Sequence, residues 1–157
     1  LENAFRKLAL RYPGRAGCVI GYDEALAHWI EAGADIFVMP SRYEPCGLNQ
    51  MYSMRYGTVP VVRATGGLAD TVIDCDDGTL ANGSATGFLF REPAALALLA
   101  AIRRALEAWS NQATWRQLQK NGMARDFGWG DSARRYRDLF EMLVAERSMA
   151  SHRERPG

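Results

Sequence analysis

The apolar positions change period several times along the 157 residues, and each change predicts an element. Leu1, Phe5 and Leu8 fall on one helical face and predict a helix from the start to about Arg11, closed by Tyr12-Pro13-Gly14. Ala16 to Ile20 is a short apolar run and predicts a strand. Gly21-Tyr22-Asp23 follows as a turn, with Asp23 placed to cap a helix from Glu24 to about Ala32 and Gly33 to stop it. Ile36 to Met39 is the clearest strand and ends at Pro40-Ser41. A polar loop from Arg42 to Cys46 leads into a helix from about Gly47 to Tyr56, stopped by Gly57.

Val59 to Val62 is a second buried strand, followed by a tight turn, Thr65-Gly66-Gly67-Leu68, into Ala69-Asp70. Asp74 to Ser84 is polar and reads as a surface loop, and Gly87 to Phe90 as the last strand. Three helical stretches complete the chain. Leu96, Leu99, Ile102, Leu106 and Trp109 share a face of the first; Trp115 and Leu118 centre the second; Tyr136, Leu139, Phe140 and Leu143 line the third, which starts at Asp131. From Ser148 the tail is polar and basic, and fraying is expected there.

Short strands that are apolar on both faces, alternating with helices, predict an α/β fold: a parallel sheet with helices on both faces. No internal repeat is visible. The chain opens inside a helix with no residue before Leu1 to cap it, so the expectation is one domain truncated at its front. In a sheet of order 3-2-1-4-5-6 the absent strands would belong between Ala16–Ile20 and Ile36–Met39. Ile36–Met39 should then pair in parallel with Val59–Val62, and Val59–Val62 with Gly87–Phe90. Ala16–Ile20 should have no parallel neighbour.

Composition narrows the classes. A hydrophobic share of 48% and a charged share of 24% are those of a soluble globular protein. The formal net charge of +1 provides no field for nucleic acid or an anionic membrane. No apolar run reaches the length of a membrane span, and no stretch reads as a secretory signal. Three widely spaced cysteines, Cys18, Cys46 and Cys75, fit a reducing compartment better than a disulfide framework. No metal site is expected, because His28 and His152 stand far apart and no cysteine pair has ligand spacing. Cys18 reads as a core residue, Cys75 as a loop residue and His28 as a structural helix residue. Asp74, Asp76 and Asp77 read as a solvated acidic loop.

In an open parallel sheet, ligands bind beyond the carboxyl ends of the strands. Two segments leave such ends through glycine turns into helices: Glu44-Pro45-Cys46-Gly47-Leu48-Asn49-Gln50 and Thr65-Gly66-Gly67-Leu68. Free N–H groups at a helix start favour an anion such as phosphate, Gly47 lets the backbone come close to it, and Glu44 can accept hydrogen bonds from sugar hydroxyls. A phosphate beside a carboxylate is what a sugar nucleotide needs. By spacing alone, a loop that merely starts a helix is the other reading.

The run from Pro40 to Tyr52, PSRYEPCGLNQMY, resembles the signature of bacterial glycogen synthases and plant starch synthases. So do the run from Tyr56 to Val72, YGTVPVVRATGGLADTV, the pair Gly21-Tyr22 and the stretch Asp126-Phe127-Gly128-Trp129. The similarity covers about Leu1 to Val144. It implies the C-terminal half of a GT-B glycosyltransferase, Rossmann-like, with residues 1–147 a partial nucleotide-sugar-binding domain and 148–157 a polar tail. It also implies transfer of glucose from ADP-glucose to the non-reducing end of an α-1,4-glucan, with retention and without a cofactor or required metal.

The resemblance assigns Glu44 to the donor glucose and to the charge of the reaction. Cys46, Gly47 and Leu48 would line the glucose and the distal phosphate. Asn49 stands where this family often has Thr, which leaves its backbone N–H as the contact. Tyr22 would lie near the adenine, although the residues alone equally allow a surface turn aromatic. Thr65, Gly66 and Gly67 would face the cleft. Tyr52 stands eight positions after Glu44, where many related transferases carry a second Glu for the ribose, and so favours a glycogen or starch synthase. The family's donor-phosphate Arg and Lys would precede Leu1, so the chain alone is expected to be inactive. Two alternatives stay open: another retaining GT-B transferase using a UDP-sugar, and a non-catalytic nucleotide- or glucan-binding module. The implied location is the bacterial cytoplasm, or the plastid for a plant protein.

Overall fold

The computed structural model describes the backbone of residues 1–153 and the side chains of residues 1–147. It forms two compact units, Leu1–Met123 and residues 124–157. In the first, three parallel strands lie in the order β1 (Ile36–Met39), β2 (Val59–Arg63), β3 (Phe88–Phe90). Ile36 stands opposite Val59 and Met39 opposite Val62; Val61 stands opposite Phe88 and Arg63 opposite Phe90. Both pairings are those expected from the sequence.

Around the sheet run α1 (Glu2–Arg11), α2 (Glu24–Gly33), α3 (Asn49–Tyr56), α4 (Gly67–Thr71), α5 (Asp77–Ala81), α6 (Ala95–Ser110) and α7 (Gln112–Ala124). Asp23 caps α2, its carboxylate accepting from Leu26 N at 3.0 Å. Gly57 ends α3 at φ +82°.

β2 is the central strand, and its alternate residues are buried on both sides. Val59 and Val61 join Phe88 and Phe90 in one cluster with Ala101 and Ala105 of α6 and Trp115 and Leu118 of α7. Pro60 and Val62 are buried outside that cluster, on the side where α3 and α4 meet β2. Such a strand reads as a continuous apolar run because each face needs covering. Removing Phe88, 1% exposed, would cost about 3–5 kcal/mol in lost transfer energy and cavity.

Several expectations are corrected. Ala16–Ile20 is not a strand: it has no ladder partner, and Val19 is 68% exposed. An apolar run becomes a strand only where a neighbour takes its backbone hydrogen bonds. The Asp74–Ser84 segment is not only loop. Asp74 bridges in parallel to Gly87, and Asp76 starts α5 with a reciprocal capping box to Thr79. Cys75 lies in a loop, as expected, but is buried in the core, whereas Cys18, expected in the core, is only half-buried.

On α6 the larger residues of the predicted apolar face, Leu96, Leu99, Leu106 and Trp109, are exposed. The helix packs instead through Ala97, Leu98, Ala101, Ile102, Ala105 and Ala108. Twelve of the sixteen positions of α6 are apolar, so period alone could not choose the face. The alanine side lets the helix axis approach the sheet.

In the second unit α8 runs Trp129–Arg153. Tyr136 and Phe140 lie on one side of it, ring centroids 6.3 Å apart and both exposed. The polar tail expected over 148–157 falls on residues whose side chains, and from 154 the backbone too, lie outside those described.

Candidate functional site

The loop after β1 is held by a side chain from β2. Arg63 Nε donates to Ser41 O at 2.8 Å, its NH2 group to Arg42 O, and its NH1 group to Arg91 O at 3.3 Å beyond β3. One guanidinium thus joins the ends of all three strands. Its five fixed donors suit it to fastening several carbonyls at once. The fastened loop carries Glu44, half-buried, with Oε2 accepting from Ser41 Oγ at 3.4 Å. The rest of that carboxylate's acceptor capacity is available to a ligand.

The turn after Glu44 enters α3 through Gly47 at φ +71°. A Cβ on Gly47 would stand 2.5 Å from Gln50 Oε1, so the glycine makes room for that side chain. Gln50 is fully buried and donates through Nε2 to Gly47 O at 2.9 Å and Thr71 Oγ1 at 3.1 Å. Leu48 stands at the N-cap of α3 and makes no side-chain cap, so no side chain of the cap position takes up the first N–H groups of the helix.

The second glycine turn lies directly on the first. A Cβ on Gly66 would come within 1.9 Å of Glu44 O, and one on Gly67 within 1.9 Å of Cys46 O. Gly66 also takes φ +46°, a conformation that side chains resist. The two turns read separately in the sequence are therefore one backbone-on-backbone structure. Thr65 N donates to Arg63 O at 2.9 Å, and Leu68 N to Thr65 O at 3.1 Å, continuing the turn into α4.

Beside α3 a cleft of about 370 Å³ is lined by Tyr22, Asp23, His28, Glu31, Leu48, Asn49 and Tyr52, among others. Tyr22 stands at its mouth, 92% exposed. The His28 ring lies 5.4 Å from that of Tyr52 and meets the Tyr56 hydroxyl at 3.3 Å. Glu31 is buried, with Oε2 lacking a hydrogen-bond partner; burial raises its pKa, opposed by the charge of His28.

The predicted site residues thus fall into two neighbouring groups. Tyr22, Leu48, Asn49 and Tyr52 share the cleft. Glu44, Cys46, Gly47, Gly66 and Gly67 form the packed turns, with Thr65 at the entrance to the second. Cys46 is exposed, its thiol directed at Gly47 O at 3.7 Å. Gln50 and Arg63 lie in runs singled out from the sequence but were given no role there, and His28 was read only as a structural helix residue. Their contacts reach 21, 22 or 28 positions along the chain, and no local pattern announces such pairings.

A parallel sheet with two interlocked glycine turns beyond its carboxyl ends has the α/β architecture in which ligands bind at the strand ends. The chain belongs to the family of glycosyl transferases group 1, whose model matches residues 4–122. It is 60% identical to the glycogen synthase of Thioalkalivibrio sulfidiphilus and 58% to that of Aromatoleum aromaticum, over 92% of its length in each case. It spans only about 30% of the length of these relatives. Among solved structures it is similar to the catalytic domain of starch synthase IV from Arabidopsis thaliana bound to ADP and acarbose. The identity is 37% and the TM-score 0.79, over 91% of this chain and 30% of that one. It is also similar to sucrose-phosphate synthase from Thermosynechococcus elongatus, at 32% identity and TM-score 0.63, over 92% and 34%. Among the described residues no helix is long and apolar enough to cross a membrane.

Proposed function

We propose that this chain carries the donor side of the active site of a retaining α-1,4-glucan synthase that uses ADP-glucose. The observation that carries the reading is the junction of the Glu44–Gly47 and Gly66–Gly67 turns beside the Tyr22 cleft. The uncapped start of α3 favours the diphosphate. Asp23, Glu24 and Glu31 give the cleft an acidic character that suits the nucleoside, with its N–H and O–H donors, better than the phosphates. Tyr22 then stacks on the adenine. The ADP and acarbose in the related starch synthase support the same division between donor and glucan.

In the proposed reaction the bond from the anomeric carbon to the ADP oxygen breaks, and a bond to the glucan 4-hydroxyl oxygen forms on the same face. The hydroxyl proton passes to the departing phosphate. Glu44 stabilises the positive charge that builds on the sugar. On this reading residues 1–147 are part of a nucleotide-sugar-binding domain, and the protein works in the cytoplasm of a bacterium.

The test exchanges the 145-residue matching segment of the T. sulfidiphilus enzyme for that of this chain. The chimera should lengthen glycogen with ADP-glucose in preference to UDP-glucose. A preference for UDP-glucose, or no transfer at all, would refute the reading.

A further inference from the structure

Gln50 has no place in the roles that the resemblance assigns, yet it sits between both turns. Its side chain is fully buried at the start of α3. The two protons of Nε2 serve Gly47 O at 2.9 Å and Thr71 Oγ1 at 3.1 Å, with Cys46 O a longer third contact at 3.4 Å. Thr71 Oγ1 donates onward to Gly67 O at 2.6 Å. Three hydrogen bonds in series therefore run from Gly47 of the first turn, through Gln50 and Thr71, to Gly67 of the second.

The other end of the amide is costly. Oε1 is buried without a partner, in the space that the missing Cβ of Gly47 leaves open. An apolar side chain of similar size would fill this position without an orphaned acceptor. An apolar side chain could not, however, bind the carbonyls of one turn and the threonine that secures the other.

Resting on the functional reading above, we propose that Gln50 is a positioning residue for glycosyl transfer. With Thr71 it locks the Glu44–Gly47 turn to the Gly66–Gly67 turn. The Glu44 carboxylate and the free N–H groups of α3 then keep one fixed relation to a bound donor. Packing at Gly66 and Gly67 sets how close the turns come; the Gln50–Thr71 relay sets their register.

The experiment uses the full-length chimera, with Gln50→Met, Thr71→Val and the double substitution. Each single change should lower kcat from ADP-glucose by about ten- to a hundred-fold, the scale of a small misplacement of reacting groups. Donor KM should move much less. The double variant should lose no more than the worse single one, because both remove the same tie. Melting temperature is followed in parallel, with assays run well below it. Unchanged kcat in Gln50→Met, with only the melting temperature altered, would overturn the proposal; so would losses that multiply in the double variant. Should Gln50→Met not fold, Thr71→Val at its half-buried site decides alone, and an unchanged kcat there refutes the tie. A parent chimera that transfers no glucose refutes the functional reading instead, and the inference with it.

Discussion

Glu44 and Gly66 touch through the main chain but answer to different physics. Glu44 brings charge to where a sugar would react. In the chimera, Glu44→Gln keeps the shape and removes that charge, so kcat should fall by a factor of about 100 or more with little change in donor KM. Steady-state kinetics check this, and an unchanged kcat removes Glu44 from the chemistry. Gly66 contributes by lacking a side chain. Gly66→Ala would place a methyl 1.9 Å from Glu44 O at φ +46°, whereas Gly83→Ala, at φ +72°, meets nothing within 4 Å. The second change should cost about 1–2 kcal/mol for its conformation alone, and the first about 3 kcal/mol or more. Urea unfolding of this chain compares the two, and equal costs would show that the turns are not packed as described.

Among the elements, α6 separates hydrophobicity from burial most sharply. Ala101 and Ala105 are buried against the sheet, whereas Leu96 is 80% exposed. Ala101→Leu should destabilise by about 1–3 kcal/mol through overpacking. Leu96→Ala should stay within about 0.5 kcal/mol. Denaturant midpoints for the two variants test the assignment of faces, and the reverse order would restore the face read from the larger side chains. The same lesson holds for α5, whose Asp76–Thr79 capping box is a plain local signal inside a segment polar enough to read as loop.

For the folded molecule, Glu31 makes stability depend on pH. Burial holds its pKa above the ordinary 4.5, so between that value and the raised one the native state keeps a proton that the unfolded chain releases. The native state then binds more protons. Glu31 therefore contributes stability in full below 4.5, and that contribution is lost as pH rises through the raised pKa. Unfolding free energies measured across this window should fall with pH more steeply in the parent chain than in Glu31→Gln. Parallel profiles would show that the carboxyl titrates normally.

Much of this was legible along the chain. Ile36–Met39 and Val59–Val62 are apolar on both faces, and that alone implies a covered parallel sheet. Gly57 and Asp23 mark helix ends by local stereochemistry. Glu44, Gly47 and the Gly66-Gly67 pair stand out because glycine turns at strand ends are where backbone meets ligand. These are short-range properties, carried by a few neighbouring residues. Tertiary structure decided what depends on distant partners: that Ala16–Ile20 finds no strand to pair with, that α6 buries its alanines, and that Cys75 rather than Cys18 is buried in the core. It also brought Arg63 to Ser41 and Arg91, and Gln50 to Thr71. A buried polar group takes whatever partner the fold carries to it, and only the folded chain determines which one arrives.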